Sequence, residues 1–269
     1  MIDYDQLNRR FIMRILVLNP YGGTEFRGRE NLDRIKRPDT QYDMENIAHA
    51  YPLMNNQWLY FRYMCADATL DRVIRAEKEG YDAVFISCNL DIGLYEARSL
   101  VNIPVTATLE SAALVAYTMG TKFSLLSVDD QNAKIQKMML EQYGLAGKWA
   151  SHRPVWIDAN DLYPDKTSED RVYEKAVEVA RKCVEEDGAE VLIPGCTLIG
   201  SVLTHRVKDP MKELGAPLVD GMVTGFKMAE MMADICKLTS TPPASRVGFF
   251  QYPPKKDFET LRKYLKKPV

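Results

Sequence analysis

Short apolar runs alternate with longer stretches of helical periodicity along most of the chain. RILVLNP (14–20), AVFIS (83–87), IPVTAT (103–108), KFSLLSV (122–128) and VLIPG (191–195) are continuous runs closed by polar, Pro or Gly residues. Runs of this kind read as strands buried on both faces of a parallel sheet. Residues 149–157 are a weaker strand candidate, APLVD (216–220) a short extended piece, and SRVGFF (245–250) a strand or edge segment. Between the runs, Tyr60, Met64, Ala68, Val73 and Ala76 repeat at helical spacing and predict a helix over 60–79, stopped by Gly80. Further helices are expected over 91–100 with Asp91 as N-cap, 109–119 ended by Gly120, and 131–143 capped by Asp129 or Asp130. The pattern continues with helices over 167–187, 198–214 and 221–237. Residues 1–12 read as an extension. The polar stretch 21–48, with Gly22, Gly23, Gly28 and Pro38, reads as a long loop or irregular cover, and such loops often serve a site.

Two of these strand units align without a gap. EKEGYDAVFISC (77–88) and EEDGAEVLIPGC (185–196) place Glu77, Gly80 and Cys88 over Glu185, Gly188 and Cys196. Each copy is a helix end, a glycine turn, an apolar strand, and a cysteine where the strand stops. Alternating strands and helices imply parallel sheets with right-handed crossovers. The expected fold class is therefore α/β, with two similar parallel-sheet lobes related by pseudo-two-fold symmetry and the site in the cleft between them. The expected boundaries are 1–120 plus 216–269 for the first lobe and 121–215 for the second. No Pro/Ser-rich linker separates them, so the lobes should pack tightly.

Composition narrows the function classes. The 269 residues are 46% hydrophobic, enough for a substantial core. The net charge of −2 and the scattered basic residues give no electrostatic footprint for nucleic acid. The basic tail KKDFETLRKYLKKPV reads as a solvated terminal helix. No apolar run approaches the roughly 20 residues of a membrane span, and the N-terminus lacks a signal-peptide core. A cytoplasmic location follows as the expectation, and there the thiols stay reduced. Cys65, Cys88, Cys183, Cys196 and Cys236 contain no CxxC pair and no cysteine–histidine cluster, so no metal site is expected. Gly22-Gly23 opens no phosphate loop.

The paired cysteines carry the chemistry. Ligands of parallel sheets bind beyond the carboxyl ends of the strands, where Cys88 and Cys196 fall. A thiol just ahead of a helix meets unpaired backbone N–H groups and the positive end of the helix dipole, which favour thiolate. A thiolate on one wall of a cleft can remove a proton, and a thiol on the other can return one to the opposite face. The competing reading is that both pack as small hydrophobes. For Cys65, Cys183 and Cys236, inside helical patterns, that packing role is the expectation. A disulfide between Cys88 and Cys196 is a further alternative, which the inferred compartment opposes.

The motifs resemble the aspartate/glutamate/hydantoin racemase superfamily. SCNLDIGLYEAR (87–98) is similar to the hydantoin racemase pattern of a cysteine followed by Asp, Gly-Leu and Ala-Arg. IPVTATLESAA (103–113), GAEVLIPGCTLIG (188–200) and APLVDGMVTGFKMAE (216–230) resemble later segments of that family, and RILVLNP its start. Cys88-Asn89 and Gly195-Cys196-Thr197 also look like glutamate racemases. The resemblance implies chemistry beside a carbonyl without a cofactor or metal, on a small-molecule hydantoin-like or amino-acid substrate, with Cys88 and Cys196 as the acid/base pair. Asn19, Ser87, Asn89, Ser127 and Thr197 would then lie at strand ends around the substrate and help hold a developing enolate oxygen. The stretch after Asn19-Pro20 departs from the family's short Thr/Ser loop, and Arg27, Arg29, Arg34 and Arg37 there are candidates to meet a carboxylate. The same scaffold resembles cis–trans isomerases and single-cysteine decarboxylases, and thiolate attack on a hydantoin or thiohydantoin ring is another reading. The non-enzymatic alternative is a two-lobed small-molecule binding protein. Met- and Tyr-rich helical faces would permit a homo-oligomer.

Overall fold

The computed structural model describes residues 12–20, 28–47, 58–157 and 166–268. Two parallel sheets organise it. The first holds β1 (Met13–Asn19), β2 (Thr40–Asn46), β3 (Ala83–Ile86) and β4 (Val105–Ala107) in the order β2-β1-β3-β4. The second holds β5 (Phe123–Ser127), β6 (Trp149–Pro154) and β7 (Val191–Pro194) in the order β6-β5-β7. All strand pairs are parallel. The apolar runs do become strands, and every residue of β3, β5 and β7 is buried.

The helices are α1 (Gly28–Ile35), α2 (Leu59–Lys78), α3 (Leu94–Arg98), α4 (Thr108–Met119) and α5 (Asp130–Gln142) in the first part of the chain. They continue with α6 (Lys166–Glu185), α7 (Thr197–Arg206), α8 (Pro210–Glu213), α9 (Gly221–Thr239) and α10 (Lys255–Tyr264). The repeat seen in the sequence is one structural unit used twice. Both α2 and α6 run into a glycine with left-handed φ, +79° at Gly80 and +71° at Gly188, before β3 and β7. Only glycine adopts that turn without strain. No described helix is long and apolar enough to cross a membrane.

Helix α4 lies between the sheets, packing on β4, β5 and β7, and α9 packs on α4, β1, β3 and β4. Close approach is built in at Gly225, where an added Cβ would lie 2.2 Å from the Phe85 ring. Leu109, Ala112, Ala113 and Ala116 of α4 share one buried cluster with Phe123, Leu125, Val191 and Ile193 of the second sheet.

Four segments differ from the sequence expectation. The stretch 28–46 is not irregular: α1 buries Leu32, and β2 pairs with β1 along its whole length. Its sequence TQYDMEN is polar because an edge strand needs only its backbone to join the sheet. Residues 21–27, with Gly22, Gly23 and Arg27, and residue 48 lie outside the described residues. So does the extension before residue 12. The helix expected over 198–214 is two. Val207 turns extended, and Asp209 caps a new start with Pro210 at its first position. Residues 245–250 form turns rather than a strand. Arg246 holds them by donating to the backbone oxygens of Arg98, Val101 and Phe250. The expected helix over 91–100 is confined to 94–98.

Candidate active site

In each sheet the chain leaves the central strand in one direction and returns on the other side. From β1 it passes to β2 and then across to β3; from β5 it passes to β6 and then across to β7. The crevices between β1 and β3, and between β5 and β7, are therefore topological switch points, the usual ligand positions of open parallel sheets. Asn19 ends β1, and Ser87 and Cys88 follow β3. Ser127 ends β5, and Cys196 and Thr197 follow β7. Each cysteine thus flanks one switch point.

The two crevices meet. Asn89 Nδ2 donates to Pro194 O at 2.9 Å, tying the residue after Cys88 to the strand that delivers Cys196. Gln136, fully buried on α5, donates through Nε2 to Gly195 O at 2.7 Å and to Asn89 O at 3.4 Å. Cys88 is buried in the apolar cluster that also holds Val191 and Ile193 of β7, and Leu90 N donates to its Sγ at 3.3 Å. Cys196 is partly exposed and occupies the N-cap of α7. Burial of its sulfur pushes the thiol above its ordinary range, opposed by the Leu198 and Ile199 backbone N–H groups. None of the five cysteines forms a disulfide among the described residues; Cys65 and Cys183 are buried in two different apolar clusters, and Cys236 is partly buried.

The polar candidates divide. Ser87 donates to Leu18 O at 3.3 Å, and Ser127 donates to Gln136 Oε1 at 2.9 Å, so both hydroxyl protons are engaged within the fold. Asn19 is buried, and its carbonyl accepts from Ile47 N at 3.0 Å. Thr197 is buried in the first turn of α7, where its carbonyl accepts from Ser201 Oγ at 2.8 Å. Asn89 is different. Because Pro194 O can only accept, the nitrogen of its amide must face that oxygen. Its Oδ1 is then fixed on the other side, buried and with no hydrogen-bond partner among the described residues. A buried orphan acceptor costs about 1–3 kcal/mol, and such groups call for an explanation.

Asp91 does not cap the helix that follows it. It sits at φ +39° and accepts from Leu109 N and Glu110 N, both at 2.8 Å, so it caps α4 from a loop. Tyr143 Oη donates to the same carboxylate at 2.8 Å. Cys88 is consequently followed by a braced turn rather than by a helix. Glu110 is paired with Arg98 at 2.8 and 2.5 Å. Of the loop arginines, Arg37 is held by Asp39 and Asp234, and Arg29 stacks over Tyr42. Sequence reading missed Gln136 and the far reach of Asp91. A polar residue on the buried stripe of α5, between Ala133 and Met139, was the available signal for Gln136.

Comparison with known proteins agrees with this architecture. The family model described as Asp/Glu/Hydantoin racemase matches residues 30–229. The hydantoin racemase of Pseudomonas sp. (strain NS671) is 27% identical over 253 residues, covering 91% of this chain and 94% of that protein. The hydantoin racemase of Rhizobium meliloti is 29% identical over 190 residues, covering 71% and 74%. The solved allantoin racemase from Klebsiella pneumoniae superposes with a TM-score of 0.79 at 23% identity, over 96% of this chain and 100% of that one. With two parallel sheets presenting a cysteine each and a family match across most of its length, the chain belongs to the Asp/Glu/Hydantoin racemase family and is a racemase-type isomerase.

Proposed function

We propose that this protein is a cofactor-independent racemase of a 5-substituted hydantoin or a closely related cyclic ureide. Cys88 and Cys196 would be the two acid/base groups, in the cleft between a lobe of residues 1–120 plus 216–269 and a lobe of residues 121–215. The observation that carries the reading is the placement of the cysteines at equivalent switch points whose loops are hydrogen-bonded to each other. The relatives named hydantoin racemase and allantoin racemase support the substrate class.

The chemistry asks little beyond two thiols. The ring C–H beside a carbonyl is acidified because the electron pair left behind spreads onto the carbonyl oxygen. One sulfur, as thiolate, takes that proton from one face. The other, as thiol, gives a proton to the opposite face, and the ring is inverted with the protons balanced. Each such positioned group contributes about 10²–10⁴-fold. Asn89 Oδ1, buried without a partner, suits a ring N–H donor and would orient the ring between the sulfurs. Backbone N–H groups at the start of α7 suit the developing enolate oxygen. Thiols used this way need a reducing compartment such as the cytoplasm.

The test is proton NMR in D2O with optical rotation, on single enantiomers of 5-substituted hydantoins, allantoin, aspartate and glutamate, against protein-free controls. Protein-dependent loss of both the ring C–H signal and the rotation is expected for the cyclic ureides. Turnover of the free amino acids alone would overturn the substrate class. Cys88→Ala and Cys196→Ala should each lower racemisation by at least about 10²-fold; full activity in either variant ends the two-thiol mechanism.

A further inference from the structure

We propose that Gln136 is a positioning residue that sets the orientation of both cysteines through two peptide planes. The inference rests on the two-thiol reading above and names the device that registers one thiol against the other.

Gln136 sits on the face of α5 that also buries Ile135, Met139 and Leu140. A primary amide there costs free energy unless it is hydrogen-bonded, and this one is bonded at both ends. Its chemistry fixes its direction. Gly195 O and Asn89 O only accept, so Nε2 faces them, and Oε1 accepts from Ser127 Oγ at 2.9 Å.

The two carbonyls belong to informative peptides. Gly195 C=O is joined to Cys196 N, so a hold at 2.7 Å fixes the plane from which the Cys196 side chain departs. Asn89 C=O is joined to Leu90 N, and the Leu90 N–H is the group that points at Cys88 Sγ at 3.3 Å. In a trans peptide the carbonyl and the N–H point opposite ways. The longer contact, 3.4 Å from Gln136 to Asn89 O, therefore aims the Leu90 N–H at the Cys88 sulfur. Gly195 completes the arrangement. A Cβ there would lie 2.9 Å from Leu126 O and Ser127 Cα and 3.1 Å from Gln136 Oε1, so the strand end can approach the amide only as glycine.

The consequence is specific. Deprotonation from one face needs only one thiol in place. Inversion needs both at the correct separation across the ring, and a misplacement of about 1 Å can cost about 10²-fold. Gln136→Met keeps the volume and removes every hydrogen bond; Gln136→Asn keeps the amide but shortens its reach. For each, inversion is followed by optical rotation, and solvent deuterium entering the recovered starting enantiomer is followed by NMR in D2O.

Wild-type protein should place deuterium almost entirely in the inverted product. In both variants inversion should fall by on the order of 10²-fold while exchange into unreacted substrate falls far less, raising the exchange-to-inversion ratio at least about tenfold. KM should change little against kcat. The ratio does not depend on the folded fraction, so a purely structural role would lower both rates together and leave it unchanged. An unchanged ratio, whether the rates are kept or lost in proportion, overturns the proposal while leaving the two-thiol reading intact. Absence of exchange and inversion in the wild type on every cyclic ureide would overturn that reading, and this proposal with it.

Discussion

At the scale of single residues the site is a set of close approaches around two sulfurs. Gly195 is the tightest. The groups its missing Cβ would meet, Leu126 O and Ser127 Cα, are backbone, which cannot swing aside. Gly195→Ala should therefore cost roughly 1–3 kcal/mol, as overpacking does. Racemisation should fall as well, because the residue that shifts carries Cys196 with it. Denaturant midpoints and kcat measured on one preparation check both. Cys196 makes a second prediction. Burial holds its thiol above the ordinary range, so it stays protonated further into alkaline pH than a free cysteine. Turnover needs one thiolate and one thiol, so the singly protonated pair serves both directions, and kcat/KM for the two enantiomers shares one bell-shaped pH profile. Its alkaline limb, where the pair loses its last proton, should lie above the usual thiol range. An alkaline limb at or below that of a free cysteine would remove Cys196 from the pair. The strand-end placement of the cysteines was legible because a repeat marks them twice. Gln136 was not: its partners are backbone groups of residues 89 and 195, which no local pattern connects to an amide on α5.

At the scale of elements, periodicity found the strands that are buried on both faces and failed where pairing is made by backbone alone. β2 presents Gln41, Asp43 and Glu45 to solvent or partners and so carries no apolar signature. The same limit hid the Asp91 brace, since a cap normally serves the helix that follows it, and this one serves α4 across a loop. That brace has a measurable signature. Burial pushes the Asp91 carboxyl up to about 7, against the pull of the Leu109 and Glu110 N–H groups and the Tyr143 hydroxyl. Unfolded, the same carboxyl titrates near 3.9. Between those values the native state binds a proton that the unfolded chain has lost. The Asp91 contribution is thus full in acid below the unfolded value and is lost as pH rises through about 7. The slope is at most about 1.4 kcal/mol per pH unit. Urea midpoints of wild type, compared with Asp91→Asn from roughly pH 5 to 8, should show this decline only in the wild type. Parallel curves would mean the carboxylate stays ionised throughout.

At the scale of the whole molecule, the question is what keeps two sheets in one register, as the proposed two-thiol chemistry requires. Hydrogen bonds between the loops are too few to do it alone. The larger contact is α4, whose Leu109, Ala112, Ala113 and Ala116 sit in one cluster with strand residues of the second sheet and with Cys88 at the edge of the first. The small side chains let the helix approach both sheets, and Leu109 fills the space that remains. α9, which follows the second sheet in sequence, returns to cover β1, β3 and β4 and adds its own face to α4. The core is thus continuous across the cleft, and losing a side chain from it should be felt on both sides. Leu109→Ala should cost about 2–5 kcal/mol, the range for a buried leucine that leaves a cavity. If α4 couples the sheets, amide hydrogen exchange at Phe85 on β3 and at Ile193 on β7 should accelerate by the same factor in that variant. Acceleration at β3 alone would mean that α4 belongs to the first sheet only. The register of the two thiols would then rest on the hydrogen bonds of Gln136 and Asn89 between the loops.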